Sequence, residues 1–179
     1  YKPVTMSGNI PMPERFPLEP FERKLWRFVR DNTIHDIPIN PQKWLYDYWP
    51  TLNSLGFGYC SHAASVYVKV ARAAGYEARV WGLYGHVVPE VFANGRWEMY
   101  DPDLNVYYLT RSGQVAGVDE LGADSSLITA PTEPIYESTD EFVYGSFIAG
   151  IYDNRTDGNN YVADFVFLAT TPSGVSQVQ

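Results

Sequence analysis

The sequence predicts an α+β fold in which a helix that begins at a cysteine packs on an antiparallel sheet carrying a histidine and an aspartate. Three observations predict it. Apolar residues recur at helical spacing from Cys60 to Ala74 and stop at Gly75, a natural helix C-terminus. The pattern then changes to strand alternation over Tyr76–Leu83, His86–Ala93 and Arg96–Asp101. Between the last two strands stands Asn94-Gly95, the strongest short-range signal for a two-residue hairpin turn.

The elements follow in order. Residues 1–20 hold five prolines (Pro3, Pro11, Pro13, Pro17, Pro20) and read as an extended lead-in. The core spans 21–109. It starts with a helix from Phe21 to about Asp31, whose apolar side is Phe21, Leu25, Phe28 and Val29 and whose charged run faces solvent. Ile37-Pro38-Ile39-Asn40-Pro41 ends any helix, and Trp44–Trp49 is an aromatic segment of open form. On the cysteine helix, Cys60, Ala63, Ala64, Tyr67, Val70, Ala71 and Ala74 form the core stripe, with Ser65, Lys69 and Arg72 opposite. Tyr107-Tyr108-Leu109 is short enough to be one more strand. Residues 110–140, rich in Gly, Ser, Asp and Pro, read as a long surface excursion. Residues 141–179 read as added strands, at Phe142–Tyr152 and Tyr161–Thr170, joined by the polar loop 153–160.

The hairpin fixes a register. With Asn94 and Gly95 as the turn, Ala93 faces Arg96, and stepping outward places Asp101 opposite Val88. Side chains alternate with period two, so His86, Val88 and Asp101 share a face and His86 is the diagonal neighbour of Asp101. Such neighbours stand roughly 7 Å apart at Cβ, within reach of an imidazole and a carboxylate. A slip of one residue separates them. Pro89 is the threat to this register, because proline in a strand implies an edge or a bulge.

Cysteine, histidine and aspartate so placed suit nucleophilic catalysis. A free thiol titrates at about 8.5 and is a weak nucleophile at neutral pH. A helix N-terminus and a nearby imidazolium both favour the thiolate. The imidazole supplies the proton that a leaving amine needs, and the carboxylate sets its tautomer. The Cys60 amide is placed for an oxyanion hole. Tyr48, Trp49 and Asn53 are candidates for the second donor and, with Tyr59, Trp81 and Tyr84, for substrate contact. His62 lies two positions after Cys60 and points elsewhere, and His35 has no obvious partner. A metal site built from these histidines and Cys60 lacks paired-ligand spacing, so neither metal nor cofactor is expected.

Composition bounds the rest. The chain has 179 residues, enough for one domain with a real core, and its 45% hydrophobic and 19% charged residues are globular values. Net charge of −8 disfavours nucleic acid and anionic membrane as partners. One cysteine excludes an intrachain disulfide. No apolar run is long enough to span a bilayer, so membrane insertion is not expected. The chain begins at Tyr1 without an initiator Met, as a trimmed or processed product would, and an extracellular or periplasmic address is the expectation.

Gly58-Tyr59-Cys60, the helix to Gly75, Ala78-Arg79-Val80, Gly85-His86-Val87-Val88-Pro89-Glu90-Val91, Gly95-Arg96-Trp97 and Tyr100-Asp101-Pro102 together resemble the core of the transglutaminase-like superfamily, in its bacterial and archaeal branch. The resemblance covers about residues 50–109. It implies a papain-like fold and places Cys60, His86 and Asp101 on the family's catalytic triad. Ser61 stands where the calcium-dependent animal enzymes have tryptophan, and no calcium-loop pattern is present, which argues against crosslinking of that kind. The expected activity is cysteine-dependent acyl transfer on a peptide or other amide, as hydrolase or transferase. Two alternatives stand beside it. One is a polysaccharide lyase using His or Tyr, with Arg79, Arg96 or Lys69 neutralising a uronate. The other is a binding module that keeps the triad as a relic.

Overall fold

The computed structural model describes residues 19–36, 51–132, 141–153 and 161–163. The expectations for residues 1–18, 37–50, 133–140, 154–160 and 164–179, including Tyr48 and Trp49, fall outside them.

Helix α1 (Phe21–Asn32) forms where expected but buries a different stripe. Glu22, Leu25, Trp26 and Val29 face inward, while Phe21 and Phe28 are exposed. Trp26 decides the rotation, since its indole is fully buried and its Nε1–H donates to the Asp101 carbonyl at 2.8 Å. The chain then enters a two-residue strand β1 (Ile34–His35), which pairs in parallel with β2 (Phe57–Gly58). A π-helical turn at Thr51–Leu55 precedes β2.

Helix α2 (Cys60–Ala73) starts on the cysteine and ends before Gly75, whose φ of +92° is the left-handed value that favours glycine. It packs against α1 and two strands of the main sheet. Its burial wraps further round than the expected stripe: His62 and Ser65 are buried too, while Ala74 is exposed.

The main sheet has the order β5-β4-β3-β6 and is antiparallel throughout, with β3 (Glu77–Leu83), β4 (His86–Ala93), β5 (Arg96–Met99) and β6 (Tyr161–Ala163). The predicted register holds, from Ala93 with Arg96 to Glu90 with Met99. Asn94 and Gly95 both have positive φ, 54° and 77°, as the tight hairpin turn requires. Pro89 introduces no bulge, although β4 is an interior strand: pairing with β3 runs unbroken through Val80 and Pro89. Its carbonyl accepts from the Tyr100 amide at 3.4 Å. The missing N–H faces Tyr100 as well, so this pair keeps one of its two bonds and the β4–β5 ladder ends at Glu90 and Met99.

Beyond β5 the structure departs from expectation. Leu109 makes only an isolated bridge with Val115, not a strand. The supposed excursion holds two short helices, α3 (Val118–Ala123) and α4 (Ser126–Thr129), with Val118, Leu121, Leu127 and Ile128 in the core. The supposed strand Phe142–Tyr152 is a 3₁₀ turn at Glu141–Tyr144 followed by helix α5 (Ser146–Tyr152). Helices α3 and α4 pack against α5. Their tie to the sheet is the fully buried Glu90. One of its oxygens accepts from Arg79 Nε at 2.7 Å and Trp81 Nε1 at 2.5 Å, and the other from the Val118 amide at 2.6 Å.

If this region is core and not surface loop, Leu121→Ala creates a cavity under the sheet and costs about 2–5 kcal/mol in urea unfolding. An exposed loop position changes stability by only about 0.5 kcal/mol.

Candidate active site

Cys60 occupies the first turn of α2 because a local device fixes where the helix begins. The Tyr59 amide, which precedes the helix, donates to Nδ1 of His62 at 3.0 Å. His62 comes back so closely that a Cβ on Gly58 would lie 2.8 Å from its Cβ and Cγ, so only glycine fits there. Burial lowers the pKa of His62, which keeps Nδ1 an acceptor at neutral pH. His62, a rival base by composition, is thus part of the frame that presents Cys60.

The cysteine is half-buried. Beside it stands His86, the first residue of β4 and 8% exposed. Nε2 of His86 bonds Oδ2 of Asp101 at 2.7 Å, and a ring nitrogen lies within 4.8 Å of the Cys60 sulfur. With Nε2 taken, Nδ1 is the nitrogen left for the sulfur. Burial alone would lower the pKa of His86. The Asp101 charge and hydrogen bond, with smaller help from Cys60, outweigh it and hold the imidazole well above its ordinary value. The ring is therefore an imidazolium at neutral pH.

Asp101 has no exposed surface. Its Oδ1 accepts from the Asp103 and Leu104 amides at 2.9 and 3.0 Å, an Asx-type turn. Its backbone bridges Val106, with bonds of 2.8 and 3.0 Å. The expected diagonal contact between His86 and Asp101 is made.

Sequence reasoning missed Asp103. A carboxylate oxygen of Asp103, a nitrogen of His86 and the sulfur of Cys60 all lie within 4.8 Å of one another. Asp103 lies in the turn that follows Asp101, where strand alternation gives no signal. His35, expected to lack a partner, places Nδ1 at 2.8 and 3.0 Å from the two Asp103 oxygens. Parallel pairing of β1 with β2 brings it there, setting His35 beside Gly58. Burial raises the pKa of Asp103, the Asp101 charge raises it further, and His35 partly offsets both.

The other candidates separate. Trp81 is buried and bonded to Glu90, which makes it a core residue and removes it from the contact surface. Tyr84 is 67% exposed in the turn just before His86. Tyr59 is half-buried between His35 and His62, with ring centroids at 6.2 and 5.8 Å. Asn53 is exposed in the π-helical turn.

Among family models, that of the transglutaminase-like superfamily matches residues 13–102, half of the chain. No curated protein matches, and no solved structure does.

The raised pKa of His86 sets a pH signature. Its pairing stabilises the fold fully below the unfolded-state value of about 6.5 and is lost as pH rises through the folded value. The stability gap between wild type and His86→Gln, from urea titrations, should be widest near pH 6 and narrow toward alkaline pH. A gap that widens with pH would contradict the imidazolium–carboxylate pair.

Proposed function

Because the chain belongs to the transglutaminase-like superfamily, we propose that it is a cysteine-dependent acyl-transfer enzyme acting on an amide bond, with Cys60 as nucleophile, His86 as acid and base, and Asp101 as the group that orients His86. The observation that carries this reading is the 2.7 Å bond from His86 Nε2 to a fully buried Asp101, which leaves the other ring nitrogen to Cys60.

The chemistry follows from those positions. The Cys60 sulfur attacks the substrate carbonyl carbon, and the carbonyl π pair moves onto oxygen. The Cys60 amide, at the start of α2, supports that oxyanion. When the tetrahedral adduct collapses, the C–N bond breaks and the nitrogen takes the proton from His86 Nδ1, leaving a thioester. Water then attacks the thioester while His86 accepts its proton, and the acid product and the thiol are released. An amine in place of water gives transfer. Hydrolysis is the reading adopted, since no residue marks a dedicated amine site.

Substrate contact is assigned to the exposed Tyr84 and to Tyr59 beside the thiol. Peptide or another amide-bearing molecule is the substrate class. The lyase alternative is weakened at its cations. The Arg79 guanidinium pairs with Glu90 and stacks 4.0 Å over Trp97, and that of Arg96 pairs with Glu120 and bonds Gln114. No helix among the described residues is long and apolar enough to cross a membrane.

Alkylation of Cys60 by iodoacetamide tests the pair without knowledge of the substrate. At neutral pH, His86→Ala should slow the reaction at least tenfold, and Asp101→Asn should slow it less. Equal rates in wild type and His86→Ala would remove the proposal. Once a substrate is found, Cys60→Ala should abolish turnover, a loss of at least about 10³-fold.

A further inference from the structure

Cys60, His86 and Asp103 present one sulfur, one imidazole nitrogen and one carboxylate oxygen, mutually within 4.8 Å. We propose that these three residues form a binding site for a zinc-class divalent transition ion, and that its occupancy reversibly blocks the thiol. The proposal rests on the acyl-transfer reading only for what occupancy stops.

Donor chemistry selects the ion. Thiolate and imidazole suit Zn²⁺ and its neighbours, whereas Ca²⁺ and Mg²⁺ take oxygen ligands. Three protein ligands with a fourth position open is the composition of an accessible zinc site. Bonds of about 2.0–2.3 Å in a tetrahedron set donor atoms roughly 3.3–3.8 Å apart. Side-chain closure of about 1 Å therefore completes the geometry; Cys60 is half-buried, and the Asp103 side chain, 5% exposed, already faces the sulfur and the ring.

The surrounding shell strengthens the case. A metal-binding histidine characteristically gives its other ring nitrogen to a carboxylate, which fixes the ring and raises its basicity. Asp101 already holds Nε2 of His86 in that way, at 2.7 Å. Ligating carboxylates are in turn hydrogen-bonded, and His35 Nδ1 stands 2.8 and 3.0 Å from the Asp103 oxygens. His35 keeps one oxygen while the other turns to the ion. Charge points the same way, since two carboxylates and a sulfur surround a single buried imidazole.

Binding forms a metal–sulfur, a metal–nitrogen and a metal–oxygen bond. It displaces to solvent the proton on Nδ1 of His86 and any proton on the sulfur, with no oxidant or reductant. The sulfur lone pair and the ring nitrogen needed for acyl transfer are then both occupied.

The probes are Zn²⁺ and Co²⁺ with the metal-free chain in a non-coordinating buffer. Competition with a chromophoric chelator should give one Zn²⁺ per chain. Saturating Zn²⁺ should slow iodoacetamide alkylation of Cys60 at least tenfold, and a chelator should restore the rate. Co²⁺ should produce a sulfur-to-metal charge-transfer band that Cys60→Ser lacks. Asp103→Asn, checked for folding by near-ultraviolet circular dichroism, should weaken Zn²⁺ at least tenfold. If that variant does not fold, Cys60→Ser, a one-atom change, carries the affinity comparison. Absence of stoichiometric binding, equal affinity in the folded variants, or unprotected Cys60 at saturation would each overturn the site. None of these touches the acyl-transfer reading, which fails separately if metal-free Cys60 reacts independently of His86.

Discussion

The Asp101 carboxylate is the point on which the structure turns. It is fully buried and ionically paired, and its two oxygens take one imidazole and two backbone amides. A buried carboxylate without such partners costs several kcal/mol, so the sequence around it must supply them. It does so from three directions. The β4–β5 hairpin brings His86, the turn after Asp101 brings the amides, and α1 brings Trp26 to the carbonyl. Helix α1 is therefore rotated by the demand of one indole hydrogen bond as much as by its apolar periodicity. The exposed Phe21 and Phe28 are the consequence.

That dependence explains why part of the site was legible in the sequence. Asn94-Gly95 sets a register, alternation carries it eight residues back from Asn94 to His86 and six forward from Gly95 to Asp101, and both steps are local rules. Cys60 was legible because glycines bracket its helix. His35 was not, because its place depends on parallel pairing between segments separated by residues 36–56, which no local pattern encodes. Asp103 was hidden by its own success as a turn residue. Its amide serves Asp101 while its carboxylate faces the thiol.

The misreading of 110–152 has a different cause. Helices of four to seven residues have almost no intrinsic stability, so composition there reports propensity and not the outcome. Glycine and serine suggested a loop in α3 and α4, and aromatic and β-branched residues suggested a strand in α5. Burial decided instead. Leu121 and Ile128 enter the core, and in α5 Ile148, Ala149 and Tyr152 recur at helical spacing. Glu90, reaching from the sheet to the Val118 amide, anchors the start of that cluster.

Two carboxylates two residues apart beside one thiol set an electrostatic problem that the fold resolves by division. Asp101 is wholly enclosed and turned to His86, so its charge is neutralised by the imidazolium it holds. The Asp103 side chain is also largely buried, at 5% exposed, but it is turned to His35, whose side chain is 54% exposed, so its partner stands on the solvent side. Were both carboxylates aimed at His86, the ring would be held protonated but could not be shared with the sulfur. Were neither, burial would strip its proton, because desolvation is the largest single influence on it. One enclosed carboxylate on Nε2 keeps the proton on the ring and leaves Nδ1 to the cysteine, and the second, held by His35, stands beside the pair without displacing either.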